Sequence, residues 1–335
     1  MKKVVFITGG NRGIGLELCR KFALEYNFKV YMGCRDIYKA KEAIKSIGNP
    51  SNIIPIEIDV EFEDSIAKAY QEYLKLKDKD EQLYIFINNA AAQLDWIPCQ
   101  SHIKTLEIPI DLLDKIYRIN VFSSILTTRY FLNSFENGAR IVNVTSGSGE
   151  LWHPDAEKDF QIGYASTKTA LMMVTKKLSG AVKEKNIYVN CVCPGWCKTS
   201  MGGDPAPTTA EDGANSIIQA CFLNEENPPT GKYFRYGQRI PIDIYPTSNN
   251  NEYIYIQQLE KIKENINKLA WWIPIRKWRD NFRNKMLNKD QTRPDQTRPD
   301  QTRPDLINIC MDYICFYHNP KHKKIQPMFI FYKAA

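Results

Sequence analysis

The sequence has no long hydrophobic run, and this excludes one large class of protein. None of its apolar runs reaches the roughly 18 residues that a membrane-spanning helix needs. The N-terminus has two lysines followed by a short apolar run, without the longer apolar segment and small-residue cleavage site of a signal peptide. We therefore expect a cytoplasmic location.

The nine cysteines lack the spacing of a metal site. Cys191, Cys193 and Cys197 lie close together, but no histidine is near them to complete a set of four ligands. In a chain without an export signal, such cysteines are typical of reduced thiols. We expect no bound metal.

Net charge is also lacking over most of the chain. Residues 245–335 hold 16 basic and 9 acidic residues, which leaves 29 of each in residues 1–244 and gives that part a net charge of zero. The overall +7 therefore belongs to the C-terminal part. We predict a neutral globular domain over 1–244 and a basic extension over 245–335. We expect no nucleic-acid partner.

The basic extension is predicted to be irregular and largely disordered. The segment 291–305 repeats QTRPD three times, and a proline at every fifth residue is incompatible with a regular helix or strand. The repeat is equally compatible with an artefact of the gene prediction. The aromatic, basic stretch 271–279 could contact an anionic membrane surface, although Pro274 interrupts the helix that this would need.

The first 240 residues alternate between strand-like and helix-like patterns. Predicted strands are Val4–Thr8, Lys29–Met32, Ile53–Ile58, Tyr84–Asn88, Ala139–Thr145, Tyr188–Cys193 and a seventh near Lys232–Tyr236. Predicted helices are Gly15–Tyr26, Tyr38–Ile47, Asp64–Leu76, Leu112–Phe135 and Tyr164–Lys185. This alternation predicts an α/β fold with a doubly wound parallel sheet of about seven strands, of the Rossmann type.

A glycine-rich loop, TGGNRGIG at 8–15, joins the first strand to the first helix. Glycines at this turn allow a pyrophosphate to approach the backbone and the positive N-terminus of the helix. The same loop could also be a turn without a ligand, since the motif alone is weak evidence.

The residue after the second strand indicates which dinucleotide would bind. A carboxylate there would favour NAD, whereas Arg35 suits the 2′-phosphate of NADP, with Arg12 in the loop as a second cation. Alternatively, Arg35 and Asp36 form a surface ion pair. The charges favour NADP(H).

A tyrosine and a lysine four residues apart lie on one face of a helix, where the ammonium would lower the pKa of the phenol. The sequence contains this spacing three times: Tyr73 with Lys77, Tyr164 with Lys168, and Tyr317 with Lys321. Pro320 interrupts the third pair, and the first lies in a charged helix. Only Tyr164 and Lys168 begin a helix that follows a strand ending near a serine, Ser146.

Over residues 3 to about 240, the chain resembles the short-chain dehydrogenase/reductase family. The motifs that carry the resemblance are TGGNRGIG at 8–15, Asp59-Val60, NNAA at 88–91, Asn120, Ser146, the Tyr164/Lys168 pair, Pro194-Gly195 and Thr199. The segment CPGWCKTSM at 193–201 is similar to that of the carbonyl reductases of the family. The resemblance implies NADPH-dependent reduction of aldehydes, ketones and quinones.

The resemblance also implies a role for each residue. Tyr164 would be the proton donor, Lys168 would lower its pKa and bind the nicotinamide ribose, and Ser146 would hold the carbonyl. Asn120 would hold a water or kink its helix. Ser148 is an alternative to Ser146. The cofactor contacts implied are Gly9, Asn11, Arg12, Gly13, Ile14, Gly15, Arg35, Asp59, Val60, Asn88, Ala90, Tyr164, Lys168, Pro194, Gly195, Trp196 and Thr199.

The substrate cleft is predicted from apolar residues in loops that follow strand ends. The candidates are Ser146, Trp152, Tyr164, Trp196 and Met201, with Leu151, Leu94 and Trp96 around them; they indicate an apolar carbonyl substrate. Only 18 positions separate Ser146 from Tyr164, so the insertion that is long in vertebrate-type carbonyl reductases is short here. Both a monomer and a homodimer therefore stay open. Two other functions also stay open: an idle NADP-binding protein that acts through its tail, and a dedicated biosynthetic or steroid reductase.

Overall fold

Ten strands and seven α-helices follow one another in the computed structural model, which describes residues 3–97, 101–223 and 227–241. The strands are β1 (Val4–Thr8), β2 (Lys29–Cys34), β3 (Ile53–Glu57), β4 (Leu83–Asn88), β5 (Trp96–Ile97), β6 (Ser101–His102), β7 (Phe135–Val144), β8 (Tyr188–Cys193), β9 (Tyr233–Arg235) and β10 (Gln238–Ile240). The helices are α1 (Gly13–Leu24), α2 (Ile37–Ser46), α3 (Glu63–Leu76), α4 (Ile110–Tyr117), α5 (Ser123–Phe131), α6 (Ile162–Ala181) and α7 (Ala210–Cys221).

The main sheet has the strand order β10-β9-β8-β7-β4-β1-β2-β3. Seven of its strands are parallel to one another, which confirms the predicted doubly wound sheet, and β10 adds an antiparallel edge. The sequence did not predict β10, the β5–β6 ribbon or α7. Strands this short carry too few alternating residues to be recognised.

Strand β1 shows how the core is divided. All five of its residues are buried, and because successive side chains point to opposite faces, Val5 and Ile7 join one apolar cluster while Val4 and Phe6 join the other. Phe6 stacks on Phe86 with ring centroids 4.9 Å apart. Helices therefore cover both faces, as the unbroken apolar run of β1 requires.

The prediction of one continuous helix over Leu112–Phe135 was wrong. The chain forms a π-helical turn at Arg118–Phe122 between α4 and α5, and Phe135 already belongs to β7. The hydroxyl of Ser123 donates to the Ile119 carbonyl oxygen at 2.6 Å, one of several side-chain bonds that compete with the regular backbone pattern here. Asn120 lies at the centre of this turn and is buried.

The predicted extension lies outside the described residues, which end at 241, and so do the QTRPD repeats, the stretch 271–279 and the pair Tyr317/Lys321. The domain boundary at 244 therefore stays a prediction. Among the helices described, none has the length and apolar character to cross a membrane. The six cysteines in the described ranges are free and buried.

Candidate active site

The carboxyl ends of the parallel strands meet at one edge of the sheet. The strand order reverses between β1 and β4, and in such sheets ligands bind at this point of reversal. The loops that follow β1, β2, β3, β4, β7 and β8 all reach this edge. They carry most of the residues that the sequence predicted for a site.

The glycine-rich loop after β1 has a backbone that only glycine adopts easily. Gly9 and Gly13 have φ angles of 66° and 52°. A Cβ on Gly15 would lie 2.1 Å from the Gly9 carbonyl oxygen, so the loop could not close against α1 with a larger residue. The N-cap residue Arg12 makes no side-chain bond to the first turn of α1. This cradle fits the diphosphate of a dinucleotide.

The loop after β4 is hydrogen-bonded to the glycine-rich loop. The side-chain amide of Asn89 donates to the carbonyl oxygens of Thr8 and Gly9 at 2.9 and 3.2 Å. The Thr8 hydroxyl accepts the backbone N–H groups of Asn89 and Ala90, both at 3.0 Å. Ala90, a predicted cofactor contact, is therefore held against the glycine loop.

Arg35 is exposed at the end of β2. The alternative, an ion pair with Asp36, is not observed: the Asp36 carboxylate accepts the N–H groups of Tyr38 and Lys39 and caps α2. Within the described residues, Arg35 has no carboxylate partner. Arg12 is likewise exposed in the glycine loop, so two guanidinium groups are available to an anion at this edge.

Three other predicted cofactor residues, Asp59, Val60 and Asn88, differ in how far their side chains are free to contact a cofactor. Val60 is buried, while Asp59 is half-buried and turns the chain into α3 by accepting the N–H of Glu61 at 3.0 Å. The Asn88 side chain bonds to Asn143 and Thr127 beneath the edge, both at 2.8 Å. Any contact of Asn88 with a cofactor is therefore left to its backbone.

The loop after β8 closes the edge on the other side. Gly195 has a φ angle of 88° beside the buried Pro194. A Cβ on Gly13 would lie 3.1 Å from the Thr199 methyl group, so this loop packs on the glycine loop. Asn11 and Ile14 of the glycine loop are half-buried. The structure thus brings together the predicted cofactor residues from both ends of the domain.

Tyr164 and Lys168 share one face of α6, and the Lys168 Nζ lies 5.4 Å from the centre of the tyrosine ring. Lys168 is 2% exposed, and its ammonium donates to the Val144 carbonyl oxygen at 2.9 Å. The pair Tyr73/Lys77 is arranged differently. Tyr73 is fully buried in the core, and Lys77 already lies past the end of α3.

Ser146 caps the short turn after β7 and lies near Tyr164, whose pKa it lowers. Its Oγ also accepts the backbone N–H of Ser148 at 3.2 Å, so the two serines belong to one tight turn. The Thr145 hydroxyl donates to the Lys168 carbonyl oxygen at 2.9 Å and fixes the turn to α6. This arrangement favours Ser146 over Ser148 as the partner of the tyrosine.

The expected depression of the tyrosine pKa is not observed. Burial raises the pKa of Tyr164 to about 12, although the hydrogen bond from Ser146 opposes this. Burial also lowers the pKa of Lys168 to about 8. The desolvation of both groups outweighs the attraction between ammonium and phenolate, so the protein alone keeps Tyr164 protonated at neutral pH.

Asn120 has its side chain fully engaged. It accepts the N–H of Ala92 and donates to the carbonyl oxygen of the same residue, both at 2.8 Å, and it donates to the Thr167 hydroxyl at 3.0 Å. It lies in the π-helical turn between α4 and α5, where the sequence left a kink open as its role. Asn120 joins the loop after β4 to the helix that carries Tyr164.

The predicted substrate residues Leu94, Trp152 and Trp196 lie in the loops that follow β4, β7 and β8. Trp152 and Trp196 are 37% and 49% exposed, which is unusual for such large apolar side chains, and Leu94 is also exposed. The Trp196 indole donates to the Gly202 carbonyl oxygen at 2.8 Å, which holds its ring in place. Met201 is half-buried in the same loop.

Residues 3–209 match the family described as short chain dehydrogenase, which is well over half of the chain. The chain belongs to the short-chain dehydrogenase family. It is therefore an oxidoreductase of this family.

Individual relatives are distant. The short-chain dehydrogenase anuI of Penicillium roqueforti is 29% identical over 244 residues, which cover 69% of this chain and 93% of that protein. The NADPH-bound carbonyl reductase from chicken fatty liver has a TM-score of 0.63 at 24% identity and covers 71% of this chain and 98% of its own. The carbonyl reductase Sniffer of D. melanogaster has a TM-score of 0.61 at 25% identity and covers 71% and 97%.

Three features of this short-chain dehydrogenase's site were missed from sequence. Asp95 is 1% exposed and accepts two backbone N–H groups at the start of α6. Arg235 pairs with Glu150 beside the serine loop. Tyr236 has a φ angle of 49° and places its hydroxyl against Gly195. No motif marks any of them, because each acts through a contact that only the folded chain creates.

The buried Lys168 of this dehydrogenase predicts a stability that depends on pH. Its pKa is 10.5 in the unfolded chain and about 8 in the folded one, so the unfolded chain binds more protons between these values and stability rises with pH there. Below pH 8 the buried ammonium lowers the free energy of unfolding by about 3 kcal/mol. Its hydrogen bond to the Val144 carbonyl oxygen offsets about 1 kcal/mol of this loss.

Lys168→Met is therefore expected to raise the free energy of unfolding at pH 7 by about 2 kcal/mol, and the gain should disappear toward pH 10. Urea denaturation at both pH values measures the difference. The control is Lys177→Met, on the exposed side of the same helix. A gain that is equal at both pH values would show that the charge of Lys168 is not the cause.

Proposed function

We propose that this short-chain dehydrogenase reduces aldehydes, ketones and quinones to alcohols with NADPH. One observation carries the proposal: Tyr164, with Ser146 and Lys168 beside it, lies at the sheet edge that also bears the glycine cradle. The similarity to the carbonyl reductases of chicken fatty liver and D. melanogaster supports it.

The residues of the cradle fit a dinucleotide, and the charges favour its phosphorylated form. Gly9, Gly13 and Gly15 would lie against the diphosphate, and Arg35 with Arg12 would bind the 2′-phosphate. Lys168 would bind the nicotinamide ribose. When bound, NADPH supplies the hydride that the carbonyl carbon accepts.

The chain's own groups handle the carbonyl oxygen. Ser146 would donate a hydrogen bond to this oxygen and hold it next to Tyr164. Tyr164 would then transfer its phenolic proton to the oxygen as negative charge develops there. The raised pKa of Tyr164 suits this direction, because the tyrosine keeps its proton at neutral pH until the oxygen becomes basic.

The substrate class follows from the residues around the opening. Trp152, Trp196 and Leu94 present apolar surface, and an apolar carbonyl compound would bury it. The test is the oxidation of NADPH by purified protein with a panel of aryl aldehydes, aryl ketones and quinones, with glyceraldehyde as a small polar control. We expect turnover with the apolar compounds. Turnover with glyceraldehyde alone would contradict the proposed substrate class.

A further inference from the structure

The start of α6 is held by a residue from a different part of the chain. The N-cap residue, Gln161, has a φ angle of 61° and makes no side-chain cap. Instead, one carboxylate oxygen of Asp95 accepts the N–H of Gly163 at 2.6 Å and that of Tyr164 at 3.1 Å. A carboxylate suits this position, because the first N–H groups of a helix have no partner within it.

The other oxygen of this carboxylate, Oδ1, is unusual. It is buried and has no hydrogen-bond partner among the described residues. No cation in the described ranges pairs with Asp95. On the neighbouring α4, the side chains that approach Gly163 are the apolar Ile116 and Leu113. A buried negative charge without a counterion acts strongly on its surroundings.

Tyr164 lies next to this charge, since its own backbone N–H bonds the Asp95 carboxylate. Four groups act on the phenol or lie beside it: Ser146 from the turn after β7, Lys168 from α6, Cys193 from the end of β8, and Asp95 from the loop after β4. Of these, Asp95 places a carboxylate at the start of α6, where it accepts the Gly163 and Tyr164 N–H groups. A negative neighbour disfavours the phenolate, which keeps the proton on the tyrosine.

Asp95 also belongs to the substrate side of the cleft. It directly precedes β5, and its carbonyl oxygen accepts the N–H of Ile103 just after β6 at 3.0 Å. Trp96 of the same ribbon stacks on Phe160, close to the start of α6, with ring centroids 6.3 Å apart. One residue therefore joins the β5–β6 ribbon to the helix that carries Tyr164.

We infer that Asp95 is a positioning residue that fixes the Tyr164 backbone and adds its negative charge to the burial that disfavours the phenolate. The inference rests on the proposed function, in which Tyr164 is the proton donor. It goes beyond that function because a residue outside the Ser146, Tyr164 and Lys168 group, Asp95, influences the protonation of Tyr164.

The test separates charge from hydrogen bonding. Asp95→Asn keeps an oxygen that can accept both N–H groups and removes the charge. Asp95→Ser is a second neutral variant, smaller but still an acceptor. The control is Asp159→Asn, since Asp159 also accepts a backbone N–H, that of Thr105 at 2.9 Å, but is exposed and far better screened.

The first measurement is a ¹⁹F NMR titration of protein that carries 3-fluorotyrosine, with the Tyr164 signal assigned by its loss in Tyr164→Phe. Ring fluorine acidifies the phenol and brings the titration to a pH at which the protein can stay folded. The Tyr164 midpoint is expected to fall by about one pH unit in both Asp95 variants and to stay unchanged in Asp159→Asn. An unchanged midpoint in a folded Asp95 variant overturns the inference.

The second measurement is the pH profile of alcohol oxidation, which needs the phenolate. Its rise should shift to lower pH by the same amount in Asp95→Asn. A lower rate with an unshifted profile would show a merely structural role and overturn the inference. The NMR titration needs no substrate, so a lowered midpoint in a protein that reduces no carbonyl compound would support Asp95 and refute the proposed function separately.

Discussion

Tyr164→Phe should lower kcat for carbonyl reduction by about a thousandfold, because it removes the only proton donor proposed for the carbonyl oxygen. The binding of NADPH should stay close to that of the wild type, since the ring, Lys168 and the glycine loop remain. Steady-state kinetics with an aryl ketone and fluorescence titration with NADPH measure the two effects.

The matched control is Tyr73→Phe. Tyr73 is the tyrosine of another pair with the same spacing, and its hydroxyl is buried without a partner among the described residues, so removing it should change little. We expect wild-type turnover from this variant. Turnover that survived in Tyr164→Phe, or was lost in Tyr73→Phe, would refute the assignment of the proton donor.

Arg35→Ala should change the choice of cofactor. The exposed guanidinium at the end of β2 is proposed to bind the 2′-phosphate, and a charge-assisted contact of this kind contributes about 2–3 kcal/mol. The loss corresponds to about a 30- to 150-fold lower kcat/KM with NADPH. With NADH, which has no such phosphate, kcat/KM should be nearly unchanged.

Lys41→Ala is the control for this prediction, because Lys41 is an exposed cation on α2, the helix that follows Arg35. It should leave kcat/KM with both cofactors as in the wild type. Equal losses with NADPH and NADH in Arg35→Ala would mean that the arginine supports the fold of the loop rather than the phosphate.

The order of most strands and helices could be predicted from sequence because each has a characteristic local pattern of residues. The buried strand β1 is a run of β-branched and aromatic residues, and the glycine loop after it needs a backbone that few other residues adopt. The sequence left a kink at Asn120 open but did not predict the break into two helices, where Asn120 bonds a loop 28 positions earlier.

The site itself was only partly predictable. The spacing of Tyr164 and Lys168 places them on one face, but it does not give the burial that raises the pKa of one and lowers that of the other. Asp95 has no motif at all. Its influence arises because the loop after β4 reaches the first turn of α6, a contact between residues 68 and 69 positions apart.

The transfer of deuterium from NADPH labelled at C4 of the nicotinamide tests the central claim most directly. Mass spectrometry of the alcohol formed from an aryl aldehyde or ketone should show one deuterium on the former carbonyl carbon when the transferred position is labelled. The wild type and Tyr73→Phe should give this product, and Tyr164→Phe only traces of it. An alcohol without deuterium from either labelled face, or the same yield from Tyr164→Phe, would contradict the account.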